Sequence, residues 1–166
     1  MKTAIFYASS TGNTSNIANV IAQELNISDV FDIADVSLER INEYSNIILG
    51  ISTWGDGDLQ DDWDDNFDEL KNIDFSSKTV ALFGLGDQDG YPDTYLDAMG
   101  ILYSQIKSKG ANIVGQWKRD DSYEFDESKA LIDDEFIGLA LDEDNQDDLT
   151  NDRVSKWILD IKNKFN

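Results

Sequence analysis

The sequence predicts an α/β protein with an open, doubly wound, parallel sheet of five strands and helices on both faces. Apolar runs alternate with helical patterns along the chain, giving five consecutive βα units. The runs Ile47–Leu49 and Val80–Phe83 are apolar at every position, as is typical of strands buried on both faces of a parallel sheet. Residues 1–166 are expected to form a single domain, because this length is sufficient for one core.

Apolar runs set the expected bounds of the strands. The first four are predicted at Thr3–Ala8, Val30–Asp35, Asn46–Ile51 and Val80–Gly84. The fifth is predicted at Asn112–Trp117 and is expected to resume at Phe136–Leu141. The polar stretch 118–135 splits it as an insertion, and a loop of that length in a compact domain usually has a function or local structure of its own.

Helical patterns are predicted between the strands where apolar residues recur every three or four positions. The first three carry, in chain order, Ile17, Val20, Ile21 and Leu25; Trp63, Phe67 and Leu70; and Met99, Leu102, Tyr103 and Ile106. Gly110 is a typical C-terminal signal for the third helix. The last helix is expected to begin near Thr150, with Asp152 in its first turn, and to end around Lys162 and Lys164.

The composition excludes several kinds of chemistry. The chain has 34 acidic and 13 basic residues, so its net charge of −21 disfavours nucleic acids and anionic lipids and favours basic protein partners. It contains no Cys and no His, which removes thiolate sites and the commonest general base, and a bound cofactor must supply any redox chemistry. No segment resembles a signal peptide or a membrane span, and a cytoplasmic location is expected.

The turn after the first strand is the most informative segment. Its residues Ser9, Ser10, Thr11, Gly12, Asn13 and Thr14 supply four hydroxyls, one amide and one glycine, without a cation, immediately before a helix. Neutral donors backed by helix N–H groups suit a phosphate, whereas a simple helix cap needs only one hydroxyl. The turn matches neither G-x-x-x-x-G-K-[ST] nor G-x-G-x-x-G, which disfavours nucleoside triphosphates and nicotinamide dinucleotides.

Two further loops follow neighbouring strands, Ser52–Leu59 and Leu85–Asp93. Each carries an aromatic residue, Trp54 in the first and Tyr91 in the second. Ligands of open α/β sheets bind beyond the carboxyl ends of the strands, where the strand order reverses. In one interpretation Trp54 covers the core and Tyr91 is a turn residue that partly covers a helix. In the other, the two rings face each other across a slot for a planar ligand.

These loops together resemble the flavodoxin family, in its long-chain subclass, from end to end. The matching segments are Ser9–Thr14, Thr53–Gly55, Gly84–Gln88 with Gly90-Tyr91, and Gly138–Gln146. The resemblance implies the strand order 2-1-3-4-5, non-covalently bound FMN, and transfer of single electrons between proteins rather than enzymatic catalysis. Two positions depart from the family, which commonly has Thr where Ser9 stands and a glycine where Ala8 stands.

The resemblance also implies roles for individual residues. Ser9–Thr14 are expected to hold the FMN phosphate, and Trp54 and Tyr91 to enclose the isoalloxazine ring. The other expected cofactor-binding residues are Ser52, Thr53, Gly55, Asp56, Gly57, Gly84, Leu85, Gly86 and Asp87. In this family the peptide at the position of Gly55 and Asp56 turns over when the flavin is reduced. No catalytic residue and no metal ligand is expected.

Acidic residues follow the ends of three predicted strands. Eight follow the third, three the fourth and six the fifth, which is half of the acids in the chain. Such charges disfavour an anionic reduced flavin and attract basic partners, which predicts a low-potential carrier. A monomer is expected by default. By resemblance, its partners are expected to be a flavin-containing NADP reductase, a pyruvate oxidoreductase or similar proteins.

Three alternatives share parts of this pattern. A signalling receiver domain would need acids after the first strand and an Asp ending the third, where Ala8-Ser9 and Ile51-Ser52 stand. An FMN-dependent quinone or NAD(P)H oxidoreductase would need room over the ring, which Trp54 and Tyr91 are expected to close. A phosphate-binding regulatory module would bind no flavin at all.

Overall fold

The computed structural model describes residues 2–165, in which two sheets are formed. The main sheet has seven strands: β1 Thr3–Tyr7, β2 Asp29–Asp32, β3 Asn46–Trp54, β4 Asp58–Leu59, β5 Thr79–Leu85, β6 Asn112–Val114 and β10 Leu139–Leu141. A small antiparallel sheet has the order β7-β9-β8, formed by β7 Trp117–Lys118, β8 Leu131–Ile132 and β9 Glu135–Phe136.

The main sheet has the predicted order. The strands β2-β1-β3-β5 pair in parallel in that order, and β6 and β10 both pair with β5 in parallel. The two-residue strand β4 pairs antiparallel with the end of β3. Ile113 of β6 lies opposite Val80, and Leu139 of β10 lies opposite Phe83 further along β5. The fifth strand is therefore present as two pieces in one position, which confirms the doubly wound order 2-1-3-4-5.

Helices cover both faces of this sheet. They are α1 Asn13–Leu25, α2 Asp61–Asn66, α3 Asp97–Ser108 and α4 Asp147–Ile161, with 3₁₀ helices at Leu38–Glu43 and Phe67–Asn72. One core layer joins α1 and α4 to sheet residues such as Ile5, Ile48 and Phe83. The opposite layer joins α3 and the 3₁₀ helices to sheet residues such as Phe6, Leu49 and Leu82.

Several predicted element bounds were wrong. The strand predicted at Val30–Asp35 ends at Asp32, because the Asp32 carboxylate accepts a hydrogen bond from the Ala34 N–H (2.9 Å) and turns the chain. The helix predicted to begin near Thr150 begins at Asp147 and ends at Ile161. The predicted second helix changes to 3₁₀ geometry at Phe67.

The fifth strand is shorter than predicted on both sides of its insertion. Trp117 pairs with Phe136 in the small sheet, so neither residue belongs to the main sheet, contrary to the predicted bounds Asn112–Trp117 and Phe136–Leu141. The chain leaves the main sheet near Gly115, whose carbonyl accepts a hydrogen bond from Trp157 Nε1 (2.7 Å) instead of a ladder bond. Across residues 2–165, no helix combines the length and the apolar character needed to cross a membrane.

Candidate functional site

A cavity of about 380 Å³ opens where the carboxyl ends of β1, β3 and β5 meet. The topology explains its position, because β1 lies between β2 and β3 and the connections from β1 and β3 leave in opposite directions across the sheet. Its lining comprises Ser10, Thr11, Asn13, Thr14, Ser52, Thr53, Trp54, Gly55, Leu85, Gly86, Asp87, Tyr91, Glu143 and Asp144. All three predicted loops therefore meet at one site.

The turn after β1 leads directly into α1. Gly12 has φ 95°, a left-handed conformation that favours glycine, and its N–H donates to Ser9 Oγ (3.0 Å). The helix has no side-chain cap and no acidic residue in its first turn. The positive end of α1 therefore faces the cavity with hydroxyl and amide side chains around it, which suits a phosphate group.

Two aromatic side chains of the cavity are unusually exposed. Trp54 is 42% and Tyr91 is 44% accessible to solvent, whereas Trp63 and Trp157 are fully buried. The indole Nε1 of Trp54 donates to Ser52 Oγ (2.9 Å), which fixes the ring relative to the end of β3. The Tyr91 N–H donates to the Asp87 carbonyl (3.0 Å), so its loop is also folded on itself. Neither ring covers the core, and both are free to stack on a planar ligand.

Five predicted cofactor-binding residues lie outside the lining. They are Ser9, Gly12, Asp56, Gly57 and Gly84. Ser9 and Gly12 shape the phosphate turn, as described above. Gly84 lies inside β5, where a Cβ atom would come within 3.0 Å of Met99 Sδ, so its small size serves the packing of α3. The roles of all five toward a ligand stay predictions.

Glu143 and Asp144 line the cavity but were absent from the predicted cofactor set. They directly follow β10, and their place at the carboxyl end of the fifth strand was the available signal. Burial raises the pKa of the Asp144 carboxyl above its usual value, and the neighbouring Asp87 and Asp142 raise that pKa further. No Lys or Arg is among the residues described as lining this cavity, so its ligand is held in a negative environment.

The fully buried Asp142 anchors this acidic side of the cavity. Its carboxylate accepts hydrogen bonds from the Gln88 N–H (3.1 Å) and side-chain amide (2.8 Å), and from Asn145. Asn145 also donates to Asp87 (2.8 Å). Carboxylate oxygens of Asp87, Asp142 and Asp144 lie within 4.8 Å of one another. Because the Asp142 oxygens already accept several hydrogen bonds, we assign no metal to this cluster.

The fold and the cavity define a class of protein: a small doubly wound α/β protein that binds a phosphorylated, planar ligand at the switch point of its sheet. The family model for flavodoxin matches residues 5–157, and the chain belongs to the flavodoxin family. It is 48% identical to flavodoxin 1 of Escherichia coli K12 over 166 residues, covering 98% of this chain and 94% of that protein.

Other relatives agree over nearly the full length. A Nostoc flavodoxin is 43% identical over 166 residues, which cover 99% of this chain and 97% of that protein. The crystal structure of the Fusobacterium nucleatum flavodoxin bound to flavin mononucleotide superimposes with a TM-score of 0.93 at 36% identity, covering all of both chains. The identification from sequence as a flavodoxin is thereby confirmed.

Proposed function

We propose that this flavodoxin carries single electrons between partner proteins on FMN bound non-covalently in the cavity of about 380 Å³. The observation that carries the proposal is one cavity in which a cation-free phosphate turn lies together with two exposed aromatic rings. Family membership agrees, because flavodoxins are electron-transfer proteins rather than enzymes. The Fusobacterium nucleatum relative is described with flavin mononucleotide bound.

FMN supplies the redox chemistry when bound, and the chain's own residues hold and shield it. The hydroxyls of Ser10, Thr11 and Thr14 and the amide of Asn13 surround the place for the phosphate at the start of α1. Trp54 and Tyr91 exclude water from the two faces of the ring. With both faces closed, electrons pass at the exposed ring edge, and a substrate or hydride donor has no place to stack.

The environment of the ring favours a low potential. Asp87, Glu143 and Asp144 line the cavity without a compensating cation among the described lining residues. A charge ~10 Å away in a high dielectric raises the energy of an added negative charge by about 0.4 kcal/mol before screening. That is roughly 20 mV for a one-electron couple, so several such acids lower the second reduction potential markedly.

The same acids determine the kind of partner that we propose. A net charge of −21 attracts basic proteins in transient, salt-sensitive encounters. A flavin-containing NADP reductase and a pyruvate oxidoreductase are the proposed classes of donor. We also propose that residues 1–166 act as one FMN-binding domain, as a monomer, in the cytoplasm.

An absorbance spectrum of the purified protein tests the proposal directly. We expect a yellow protein whose flavin is released on denaturation and identified as FMN, and whose apoprotein takes up FMN again. Reduction in steps with dithionite should proceed through two separate one-electron stages. A colourless protein that takes up no FMN would refute the proposal, and rapid NADPH oxidation by the isolated protein would favour a flavin oxidoreductase instead.

A further inference from the structure

We propose that Gln60 is a positioning residue that makes the Ser10 hydroxyl a hydrogen-bond donor to the FMN phosphate. The inference rests on the proposed function, because it assumes that the phosphate of FMN lies at the turn after β1. Gln60 itself lies outside the cavity lining. Gln60 follows β4 directly and is 1% accessible. Its side-chain Nε2 donates to Ser10 Oγ (3.1 Å), across 50 residues of sequence.

The remaining contacts of Gln60 fix which way its amide points. Its Oε1 accepts hydrogen bonds from the backbone N–H groups of Asp62 (2.9 Å) and Trp63 (3.2 Å) at the start of α2. A backbone N–H can only donate, so the oxygen must lie on that side. The Nε2 group therefore has to face Ser10 and the Asp62 carboxylate (2.9 Å), with both of its hydrogens as donors.

The backbone of Gln60 adds rigidity to this arrangement. Its N–H donates to the Ser52 carbonyl at the end of β3 (3.2 Å), and its carbonyl accepts from the Asp64 N–H (3.0 Å). The backbone of Gln60 is thus held by β3 and α2 at once, and its side-chain amide is held by the start of α2. A buried group with this many fixed partners presents a constant donor direction to Ser10.

The consequence for Ser10 follows from the chemistry of a hydroxyl. A serine hydroxyl has one hydrogen to donate, and Gln60 occupies a lone pair of its oxygen as donor. The hydroxyl hydrogen is thereby free to point elsewhere, and Ser10 lines the cavity. A phosphate dianion only accepts hydrogen bonds, and in a turn without a cation each well-oriented neutral donor contributes to its binding.

A double-mutant cycle with two ligands tests the proposal. Apoproteins carrying Gln60→Met, Ser10→Ala or both are titrated calorimetrically with FMN and with riboflavin, which lacks the phosphate. We expect Gln60→Met to weaken FMN binding about ten- to hundredfold, the order expected for one hydrogen bond to a charged group, and to leave riboflavin binding unchanged. The double variant should bind FMN no more weakly than Ser10→Ala alone, because Gln60 acts through Ser10.

Two further variants separate positioning from folding. Gln60→Glu keeps the Oε1 cap on α2 but replaces the Nε2 donor with a carboxylate oxygen, which only accepts hydrogen bonds. This variant should also lose more affinity for FMN than for riboflavin. Its loss of FMN affinity should be smaller in the Ser10→Ala background. Gln105→Met makes the same exchange on the half-buried face of α3 and should leave both affinities unchanged. Equal losses for FMN and riboflavin, or additive losses in the cycle, would overturn the proposal. A wild-type protein that binds neither ligand would instead refute the proposed function.

Discussion

At the scale of single residues, the polar groups around the cavity are largely committed to positioning one another. Ser52 is nearly buried, and its hydroxyl accepts the indole hydrogen bond that fixes Trp54 (2.9 Å). The hydroxyl of Thr53 accepts from the Ala98 N–H (3.1 Å) in the first turn of α3. The end of β3 thus orients Trp54, which forms one aromatic wall of the cavity, and also caps the start of α3.

Removing the Ser52 hydroxyl should loosen this aromatic wall. We expect Ser52→Ala to weaken FMN binding about fivefold, because a typical hydrogen bond contributes roughly 1 kcal/mol and Trp54 gains rotational freedom when it is lost. Quenching of FMN fluorescence on titration of the apoprotein measures the effect. Ser108→Ala, which removes an exposed hydroxyl at the end of α3, is the matched control and should bind FMN normally. Unchanged affinity in Ser52→Ala would contradict this role.

Gly55 allows a second residue-scale prediction. It has φ 50°, and a Cβ atom added there would meet only Asp58 Oδ2 at 3.5 Å, so the side chain itself fits. Gly55→Ala therefore acts through the backbone, where the left-handed conformation costs L-residues about 1 kcal/mol. If the peptide between Gly55 and Asp56 turns over on reduction, this cost should differ between the redox states and change the gap between the two one-electron potentials by roughly 40 mV.

Potentiometric titration of the FMN-loaded protein measures that gap. Gly110→Ala, at another left-handed glycine that begins the approach to β6 at the opposite end of the sheet, is the control. It should lower the free energy of unfolding without moving either potential. The interpretation fails if Gly55→Ala leaves the gap as wide as in the wild type.

Sequence reasoning at this scale located the three loops, because hydroxyls, glycines and aromatic residues were concentrated after apolar runs. It did not find Gln60, since a lone glutamine in an acidic helix start has no pattern that reveals a partner 50 residues away. The burial of Asp142 was equally hidden, because its partners Gln88 and Asn145 come from two different loops. Long-range polar pairing depends on the folded topology rather than on spacing along the chain.

At the scale of elements, the insertion between β6 and β10 is the least predictable part of the fold. Its polarity revealed that an insertion was present, but the predicted limits 118–135 were too narrow, because Trp117 and Phe136 also belong to the small sheet. The strands of that sheet have only two residues each, too few to show an alternating pattern. The aromatic residues of the insertion nevertheless join the core, where Phe125 and Phe136 pack around Tyr95 with ring centroids 5.0 and 6.1 Å away. Its backbone N–H groups at Asp126 and Glu127 donate to the Pro92 carbonyl beside Tyr91.

Tyr123 is the polar link between the insertion and the main sheet. Its hydroxyl donates to the Ala140 carbonyl of β10 (2.7 Å) and accepts from Trp117 Nε1 (2.9 Å). Tyr123→Phe leaves the buried Ala140 carbonyl and the half-buried Trp117 indole without this partner, so we expect it to lower the free energy of unfolding by about 1–3 kcal/mol. Urea denaturation of the apoprotein measures the loss. Tyr103→Phe, on the half-buried face of α3, should change stability little, and equal effects of the two substitutions would contradict the proposed link.

The pH dependence of stability gives Tyr123 a second signature. Burial raises the pKa of its phenol to about 12. The neutral phenol therefore stabilises the fold fully below pH ~10, the pKa of an unfolded tyrosine, and this contribution is lost as the pH rises through about 12. Between these pH values the wild type should lose more stability than Tyr123→Phe. If both proteins lost the same stability over this pH range, the titration of other groups would control alkaline unfolding, and the prediction for Tyr123 would be wrong.

At the scale of the whole molecule, the parallel sheet determines where the net charge of −21 acts. All strands of the β2-β1-β3-β5 series point the same way, so the acids that follow them gather at the edge that carries the cavity. The salt bridges formed by described residues are exposed side-chain pairs, most of them between neighbours on one helix, and such pairs contribute little to stability. The charge distribution therefore bears on redox potential and partner choice more than on folding.

The acids of α2 provide the test of this distribution. Four of them lie next to the contact between Gln60 and the phosphate turn: Asp61, Asp62, Asp64 and Asp65. Changing all four to Asn should raise the second reduction potential by roughly 20 mV per charge at ~10 Å, and by less for those further from the ring. The same variant should transfer electrons to a basic partner with a weaker dependence on ionic strength, because fewer charges steer the encounter. Potentiometry and stopped-flow measurements at several salt concentrations provide the two readouts.

Neutralising four acids at the edge of the sheet opposite the cavity distinguishes the effect of nearby charges on the second potential from the effect of the net charge of the protein. These acids lie away from the cavity: Glu24 is at the end of α1, Asp29 begins β2, and Glu43 and Asp74 precede β3 and β5. Their amide variants remove the same total charge. They should nevertheless leave the second potential and the salt dependence of electron transfer close to those of the wild type, because distance and screening weaken their effect on the ring and on the encounter at the cavity. If the two sets of four substitutions shifted the second potential equally, net charge would control it. The position of the acids at the carboxyl ends of the parallel strands would then have no separate effect on the reduction potential.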